Sequence, residues 1–379
     1  MSVPFNRPYA TGKETGYIND AIALGNVSGN GPYSARCEQW LERRTGCAKA
    51  LLANSCTAAL EMAAMLIETL PGDEIIMPSY AFVSTANAFA MHGAVPVFVD
   101  IRPDTLNIDE TQIEAAITPK TKAIVMLHYA GIACEIDTIL AIARKHKLYV
   151  IEDNAHGILA EYKDKPLGSF GHLATLSFHE TKNITCGQGG ALLINDEKLI
   201  EPAYVIRDKG TNRHVFEQGK TPFYTWVGKG SNYALSEIHA AFLWAQLEAA
   251  DSIARMRMQS WMRYKEAFDR LESTAVKRPT VSESVRHNGH ISCLILPNQE
   301  LRDGLIAHLS RQRIGANFHY VPLHLSPAYR KINPRTDIAL PVTEQANGGL
   351  VRLPLWIGIE SYQEEVIQRV LEWIRLKSL

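Results

Sequence analysis

The chain has 379 residues, 46% of them apolar and 21% charged, with Lys+Arg 39 against Asp+Glu 40. That length supports a large core and two domains, and the balanced charge excludes the basic surplus that a nucleic-acid or membrane-surface partner demands. A small phosphorylated ligand, which needs only a few local cations, stays open.

Cys37, Cys47, Cys56, Cys134, Cys186 and Cys293 are scattered, with no C-x-x-C pair and no Cys/His cluster at zinc spacing. They read as reduced thiols of a cytoplasmic protein without a metal site. The first residues lack the charged-then-apolar pattern of a signal peptide, and no stretch approaches the roughly 20 apolar residues of a membrane span.

From about residue 48 to 195, short β-rich runs alternate with helical stretches. Lys49-Ala50-Leu51-Leu52 leads into Asn54-Ser55-Cys56-Thr57 and then a helix, with Ala58, Ala59, Met62, Ala63, Leu66 and Ile67 at helical spacing and Pro71-Gly72 as its stop. Strands are expected at 74–77, 95–99, 123–127 and 149–153, and helices at 82–91, 109–116 and 136–147. Continuous apolar strands separated by amphipathic helices predict an α/β large domain, 1–250, with a mostly parallel central sheet covered on both faces. Ligands of such sheets collect at the carboxyl ends of the strands. Residues 236–271 form one long helical pattern without proline or glycine, a helix, bent or broken, running into a smaller α+β domain, 251–379. That domain shows a strand at 291–296, a helix at 301–312, a strand around 317–321 and a last helix at 363–376.

Two residues at strand exits carry the chemistry. Lys182 follows the apolar run Leu173-Ala174-Thr175-Leu176 and precedes Gly187, Gly189 and Gly190; Asp153 closes Tyr149-Val150-Ile151-Glu152-Asp153. A pyridoxal 5'-phosphate enzyme needs such a pair, an amine to bond the cofactor aldehyde and shuttle a proton, and a carboxylate to keep the pyridine nitrogen protonated. On a strand, Glu152 and Asp153 point to opposite faces, so only one enters a site. Asn54-Ser55-Cys56-Thr57 ahead of an alanine-rich helix suits a phosphate, because orphan N–H groups and short hydroxyls converge there; an ordinary N-cap accounts for the same residues. Phe82 is either a ring-stacking aromatic or part of the core. Gly187-Gln188-Gly189-Gly190 marks a tight turn, and no G-x-G-x-x-G or P-loop pattern competes for a nucleotide cofactor.

The segments 177–195, 150–156 and 78–88 resemble the DegT/StrS family of nucleotide-sugar aminotransferases, which are fold-type-I pyridoxal phosphate enzymes. The resemblance runs from Ser28-Gly29-Asn30-Gly31 to Leu353-Pro354-Leu355. Segments 178–183, 207–213 and 244–251 are most similar to the branch that aminates dTDP-4-oxo-6-deoxyglucose at C4, giving dTDP-4-amino-4,6-dideoxygalactose from L-glutamate. It implies that Lys182 binds the cofactor covalently and that Asp153 pairs with the pyridine nitrogen. Ser55, Cys56, Thr57 and Ser177 are implied at the phosphate, Phe82 over the ring and His156 beside it. Asn232 is implied to reach the cofactor of the other subunit, in a homodimer with a shared active site. His319, Tyr320 and the loop 30–34 match segments that line the sugar-nucleotide pocket. Gln188 and Asn154 depart from the family's usual acid and alanine, which affects positioning and not reaction type.

A nucleotide diphosphate makes Arg207, Lys209, Arg213 and Lys229 attractive contacts, a solvated loop being the other reading. His128, His179, His319 and His324 are either sugar-hydroxyl ligands or structural. Two rivals stay open. One is another family reaction (a 3-keto sugar, a different nucleotide, or dehydration), although the dehydrating members lack the lysine. The other is a non-catalytic pyridoxal phosphate-binding regulator, which calls for an appended DNA-binding module that this chain has neither the length nor the basic segment to hold.

Overall fold

The computed structural model describes residues 2–271, 273–333 and 338–379. Its centre is a seven-stranded sheet of β1 (Lys49–Ala53), β2 (Glu74–Pro78), β3 (Val95–Val99), β4 (Thr121–Leu127), β5 (Tyr149–Asp153), β8 (Leu173–Ser177) and β9 (Gly190–Ile194), ordered β1-β9-β8-β5-β4-β2-β3. The short strands β6 (Glu161–Tyr162) and β7 (Lys165–Pro166) form a hairpin outside it. The sheet is mostly parallel, as the apolar runs imply. Only β9 runs against its neighbours, β1 and β8.

Both faces are buried, which is why the strands show no polar alternation. In β4, Ala123, Val125 and Leu127 enter one core, and Ile124 and Met126 enter the opposite one. The helices Cys56–Leu66, Val83–Ala90 and Ile200–Arg207 cover the first face. Glu14–Ala23, Pro32–Thr45, Ile136–His146 and Glu237–Glu248 cover the second.

The helical pattern over 236–271 is broken at Ala249, giving Glu237–Glu248 and Ala250–Asp269. The two pieces serve different cores. Leu243 and Leu247 pack on the sheet, whereas Tyr264 and Phe268 join Leu305, Leu309, Val366, Val370 and Trp373 in a separate C-terminal core. There β11 (Cys293–Ile295) pairs antiparallel with β12 (Leu350–Arg352), flanked by the helices Gln299–Arg311 and Glu360–Leu376. A further short strand, β10 (Val285–Arg286), adds to β6.

The strand expected around 317–321 does not form. Only Asn317 bridges, to Arg352, and Phe318 and Val321 are 41% and 60% exposed. The segment instead turns toward the main sheet, where the Tyr80 hydroxyl donates to the His319 carbonyl. Nearby, the Asp100 carboxylate accepts the N–H groups of Val342 and Thr343 at 3.0 and 2.8 Å, fastening the helix Pro341–Gly349 beside the end of β3. Among the described residues, no helix is long and apolar enough to cross a membrane.

Candidate active site

Because β1, β4, β5 and β8 run the same way, Ala53, Leu127, Asp153 and Ser177 share one edge of the sheet. A cavity of about 470 Å³ opens there, and its walls include Ser55, Cys56, Thr57, Phe82, Asp153, His156, Ser177, Lys182, His319 and Tyr320. Ten of the residues singled out from the sequence are therefore brought together.

The two acids of β5 part as the pleat requires. Asp153 enters the cavity, where its carboxylate accepts from the Thr85 hydroxyl at 2.6 Å and the Ala155 N–H at 3.2 Å. Burial raises its pKa, and these hydrogen bonds and Lys182 oppose the rise. Glu152 lies on the other face, fully buried, and accepts the N–H groups of Gly168, Phe170 and Gly171 at 2.7–2.8 Å with His128 at 3.0 Å. It organises the turn before β8.

Lys182 is carried by the β8–β9 connection, which folds back on itself. Phe178 N–H donates to Gly189 O at 2.8 Å, Glu180 N–H to Gly187 O at 2.9 Å, and Lys182 N–H to His179 O at 2.9 Å. The half-buried side chain lines the cavity, and burial pushes its ammonium down to about 8, against the pull of the Asp153 carboxylate. Burial also pushes the Cys56 thiol up to about 12, so it stays protonated.

The start of the helix Cys56–Leu66 is an N-cap that lines the cavity. The Ser55 hydroxyl accepts from Ala58 N–H at 3.0 Å, and Thr57 is pinned by the Ser84 hydroxyl at 2.7 Å. The first-turn N–H groups have no partner within the helix and face the cavity edge. Gly190 makes this approach feasible, since a Cβ there would lie 2.4 Å from the Cys56 nitrogen.

Three histidines line the far wall, all held well below the usual range, first by burial and then by the charges of Lys182 and Arg352. His156 Nδ1 accepts from Ala130 N–H at 3.4 Å, leaving Nε2, 3.4 Å from the Tyr320 hydroxyl, to carry the proton. His319 Nε2 accepts from the Arg352 guanidinium at 3.3 Å, so its Nδ1 donates to the Tyr129 hydroxyl at 3.2 Å. His290 Nδ1 donates to Asn183 Oδ1 at 2.9 Å.

Other expectations fall outside this cavity. Arg207 is corrected: it is 4% exposed and its guanidinium bonds Glu38 at 2.9 Å, with Asp208 at 3.6 Å, so it is spent on internal carboxylates. Lys209, Arg213, Lys229 and Asn232 are exposed and absent from the walls of this chain's own cavity, and Arg213 pairs with Glu217 at 2.7 Å. The loop 30–34 is bound to the buried Glu237 carboxylate through the N–H groups of Gly31, Tyr33 and Ser34. His324 is likewise structural, 2.7 Å from the Ser79 hydroxyl, whereas His179 and Gln188 do line the cavity.

Sequence reading missed Thr85, Arg257, His290 and Arg352, which complete the walls. A signal existed for the two arginines. Arg257 interrupts the buried stripe Ile253, Ser260, Tyr264, and Arg352 interrupts the apolar run Leu350-Val351-Leu353. Thr85 and His290 stand in no comparable pattern.

A depressed lysine amine and a buried acid on the carboxyl edge of such a sheet, next to an open helix start, define a fold-type-I pyridoxal phosphate transferase. Within that class the chain belongs to the DegT/DnrJ/EryC1/StrS aminotransferase family, which it matches over residues 8–375. It is 32% identical over 380 residues to the spore coat polysaccharide biosynthesis protein SpsC of Bacillus subtilis, covering 98% of this chain and 96% of SpsC. Spr1654 of Streptococcus pneumoniae, named a sugar aminotransferase and solved in PLP and PMP forms, superposes with a TM-score of 0.91 at 26% identity, over 98–99% of this chain and 99% of that one. A DegT DnrJ EryC1 StrS aminotransferase from Brucella abortus has a TM-score of 0.86 at 30% identity, covering 96% of this chain and 95% of its own.

Proposed function

We propose that the protein is a homodimeric sugar aminotransferase that moves the amino group of L-glutamate to C4 of dTDP-4-oxo-6-deoxy-D-glucose. The product is dTDP-4-amino-4,6-dideoxy-D-galactose, made for a surface polysaccharide. The observation that carries the aminotransferase chemistry is the convergence of Lys182 and Asp153 on one cavity. A sugar acceptor is favoured by the names of SpsC and Spr1654. The dTDP nucleotide and the C4 position rest on the likeness of segments 178–183, 207–213 and 244–251 to that branch of the family.

Pyridoxal phosphate fits the residues present, which offer an amine, an acid, an anion seat relieved of side-chain bulk at Gly190, and an exposed aromatic, Phe82, at 57%. When bound, it supplies the electron sink that lets the C–H bond beside the amine break. Ser177 and the N–H groups of Cys56 and Thr57 would hold its phosphate, and Phe82 would cover its ring. Asp153, fixed by Thr85 and Ala155, would hold the proton on the pyridine nitrogen. Lys182 Nζ, neutral in part at neutral pH because of its depressed pKa, takes the proton from the glutamate Cα and later delivers one to the sugar C4. His156, kept neutral, borders the cofactor without adding charge.

The second subunit completes the site in this reading. Asn232, with Lys209, Arg213 and Lys229, projects from an exposed segment that also carries Phe223 and Trp226, 65% and 79% exposed. Against a second copy these apolar groups are covered, and the cations meet the nucleotide diphosphate in the partner's cavity.

Incubation of the holoenzyme with L-glutamate and the 4-keto nucleotide sugar, followed by mass and NMR analysis, tests the proposal. An axial amine at C4 is expected, and Lys182→Ala abolishes turnover. An amine at C3, an equatorial amine at C4 or a preference for another nucleotide overturns the substrate, and a turning-over Lys182→Ala protein overturns the mechanism.

A further inference from the structure

His290 brings to the cavity wall a bare ring nitrogen, and the reason begins in the backbone. The Asn288 carbonyl can only accept, so the Asn183 amide turns its nitrogen to it, at 2.9 Å, and its oxygen to the His290 ring. That oxygen can only accept in its turn. His290 Nδ1, 2.9 Å away, therefore carries the proton, and Nε2 keeps its lone pair. Among the described residues Nε2 has no hydrogen-bond partner, yet it is not sealed in the core, because the ring lines the cavity.

The other histidines of the wall are committed differently. His156 and His179 each accept a backbone N–H at Nδ1, from Ala130 at 3.4 Å and from Thr181 at 3.3 Å, so the neutral ring of each holds its proton on Nε2. His319 has both ring nitrogens engaged, by Arg352 and by Tyr129. Protonation would make His290 one more donor, and it is opposed first by burial and then by the charges of Lys182, Arg257 and Arg352. The ring is also held in place. Asn288 spans the carbonyls of His156 and Ile158 at 2.7 and 2.8 Å, and Arg257 donates to those of Gly289 and His290 at 3.3 and 3.0 Å.

We infer that His290 Nε2 accepts a hydrogen bond from a ring hydroxyl of the sugar substrate, a specificity-determining contact that rests on the sugar-aminotransferase reading above. Of the two substrates, glutamate carries no hydroxyl, and its one donor group, the amine, is taken up in the reaction. A keto sugar brings hydroxyls on the carbons near the reacting one. A buried acceptor left unpaired rejects an analogue lacking the donor, a sharper filter than a missing methylene gives. Asn183, which fixes the tautomer, is a positioning residue. It follows Lys182 in the chain, so one turn sets both the base and the acceptor.

The test takes holoenzyme in its amine form and compares the keto nucleotide sugar with its 2-deoxy and 3-deoxy analogues. On wild type, one of the two analogues should lose about tenfold in kcat/KM. On His290→Phe the full substrate should lose about tenfold and that analogue no further, while the half-reaction with L-glutamate changes less than about threefold. Wild type labelled with 15N-histidine gives a second reading, should the phenylalanine variant fail to fold. An unprotonated Nε2 signal should move when the nucleotide sugar binds and stay in place with the sensitive analogue, and Asn183→Ala should mix the two tautomers. Equal discrimination by wild type and variant overturns the contact. Equal losses in both half-reactions, with weakened retention of pyridoxal phosphate, place the nitrogen on the cofactor and overturn it too. Calorimetry separates the two levels of the reading. A wild type that binds no nucleotide sugar removes the proposed function and this contact with it, whereas equal binding of the sugar and both analogues removes the contact alone.

Discussion

Lys182 shows how burial turns a common surface residue into a reagent. Its ammonium sits at about 8 where an ordinary lysine sits at 10.5, so the neutral, nucleophilic fraction grows tenfold per pH unit up to about 8 and then saturates. Capture of pyridoxal phosphate by apoprotein, followed by absorbance, is expected to accelerate with pH and level off just above 8, and a plateau delayed beyond pH 10 would contradict this. The sign of the stability effect follows. A lysine whose folded pKa lies below its unfolded value penalises folding below about 8, and the penalty fades as pH rises toward 10.5, so the melting temperature of the apoprotein should gain on that of Lys182→Met over that window. Lys182 and Asp153 were legible because Asp153 closes an apolar strand run and Lys182 stands between another such run and a glycine-rich turn. For Arg352 the interrupted apolar run marks an unusual residue but not its site, because the cavity it lines belongs to strands some two hundred residues earlier, and only packing of the C-terminal core brings it there.

Single elements were legible in proportion to how much their neighbours demand of them. The strands of the main sheet, sealed on both faces, announce themselves as unbroken apolar runs. The segment 317–321 carries a similar aromatic and β-branched texture, yet Phe318 and Val321 face outward and only Asn317 pairs. Texture there reflects the cavity wall that His319 and Tyr320 supply. Element-level geometry is sharpest where β9 passes the start of the helix Cys56–Leu66. Gly190→Ala forces a Cβ to 2.4 Å from two backbone atoms, Cys56 N and Ser55 C, neither of which can yield as a side chain does. A loss of roughly 2–4 kcal/mol and much weaker cofactor retention are expected. Gly16→Ala is the control, with nothing within 4 Å and a helical site, and should gain about 0.5–1 kcal/mol. Urea melts and cofactor dissociation rates on both variants decide it.

At the scale of the whole molecule, the mostly parallel sheet and the separate C-terminal core follow from the sequence patterns, because period and apolarity are local properties. The assembly does not, since in the proposed dimer the surface bearing Trp226 and Asn232 takes its role only opposite a second copy. The shared-site proposal makes a numerical prediction. Lys182→Met and Asn232→Ala subunits, mixed equally and allowed to re-associate, form hybrids in half the dimers, each with one intact site, so activity should recover to about one quarter of wild type. No recovery would mean that each chain works with its own residues alone.

The strand order also reaches back to how the chain is made. β1 has a single neighbour in the sheet, and that neighbour is β9. On the ribosome, Lys49–Ala53 therefore emerges as an unpaired apolar edge and waits, on the order of ten seconds, until Gly190–Ile194 has been synthesised. The same event that ends this wait closes the loop bearing Lys182, so one pairing step gives β1 its neighbour and fixes the segment that carries the reactive amine.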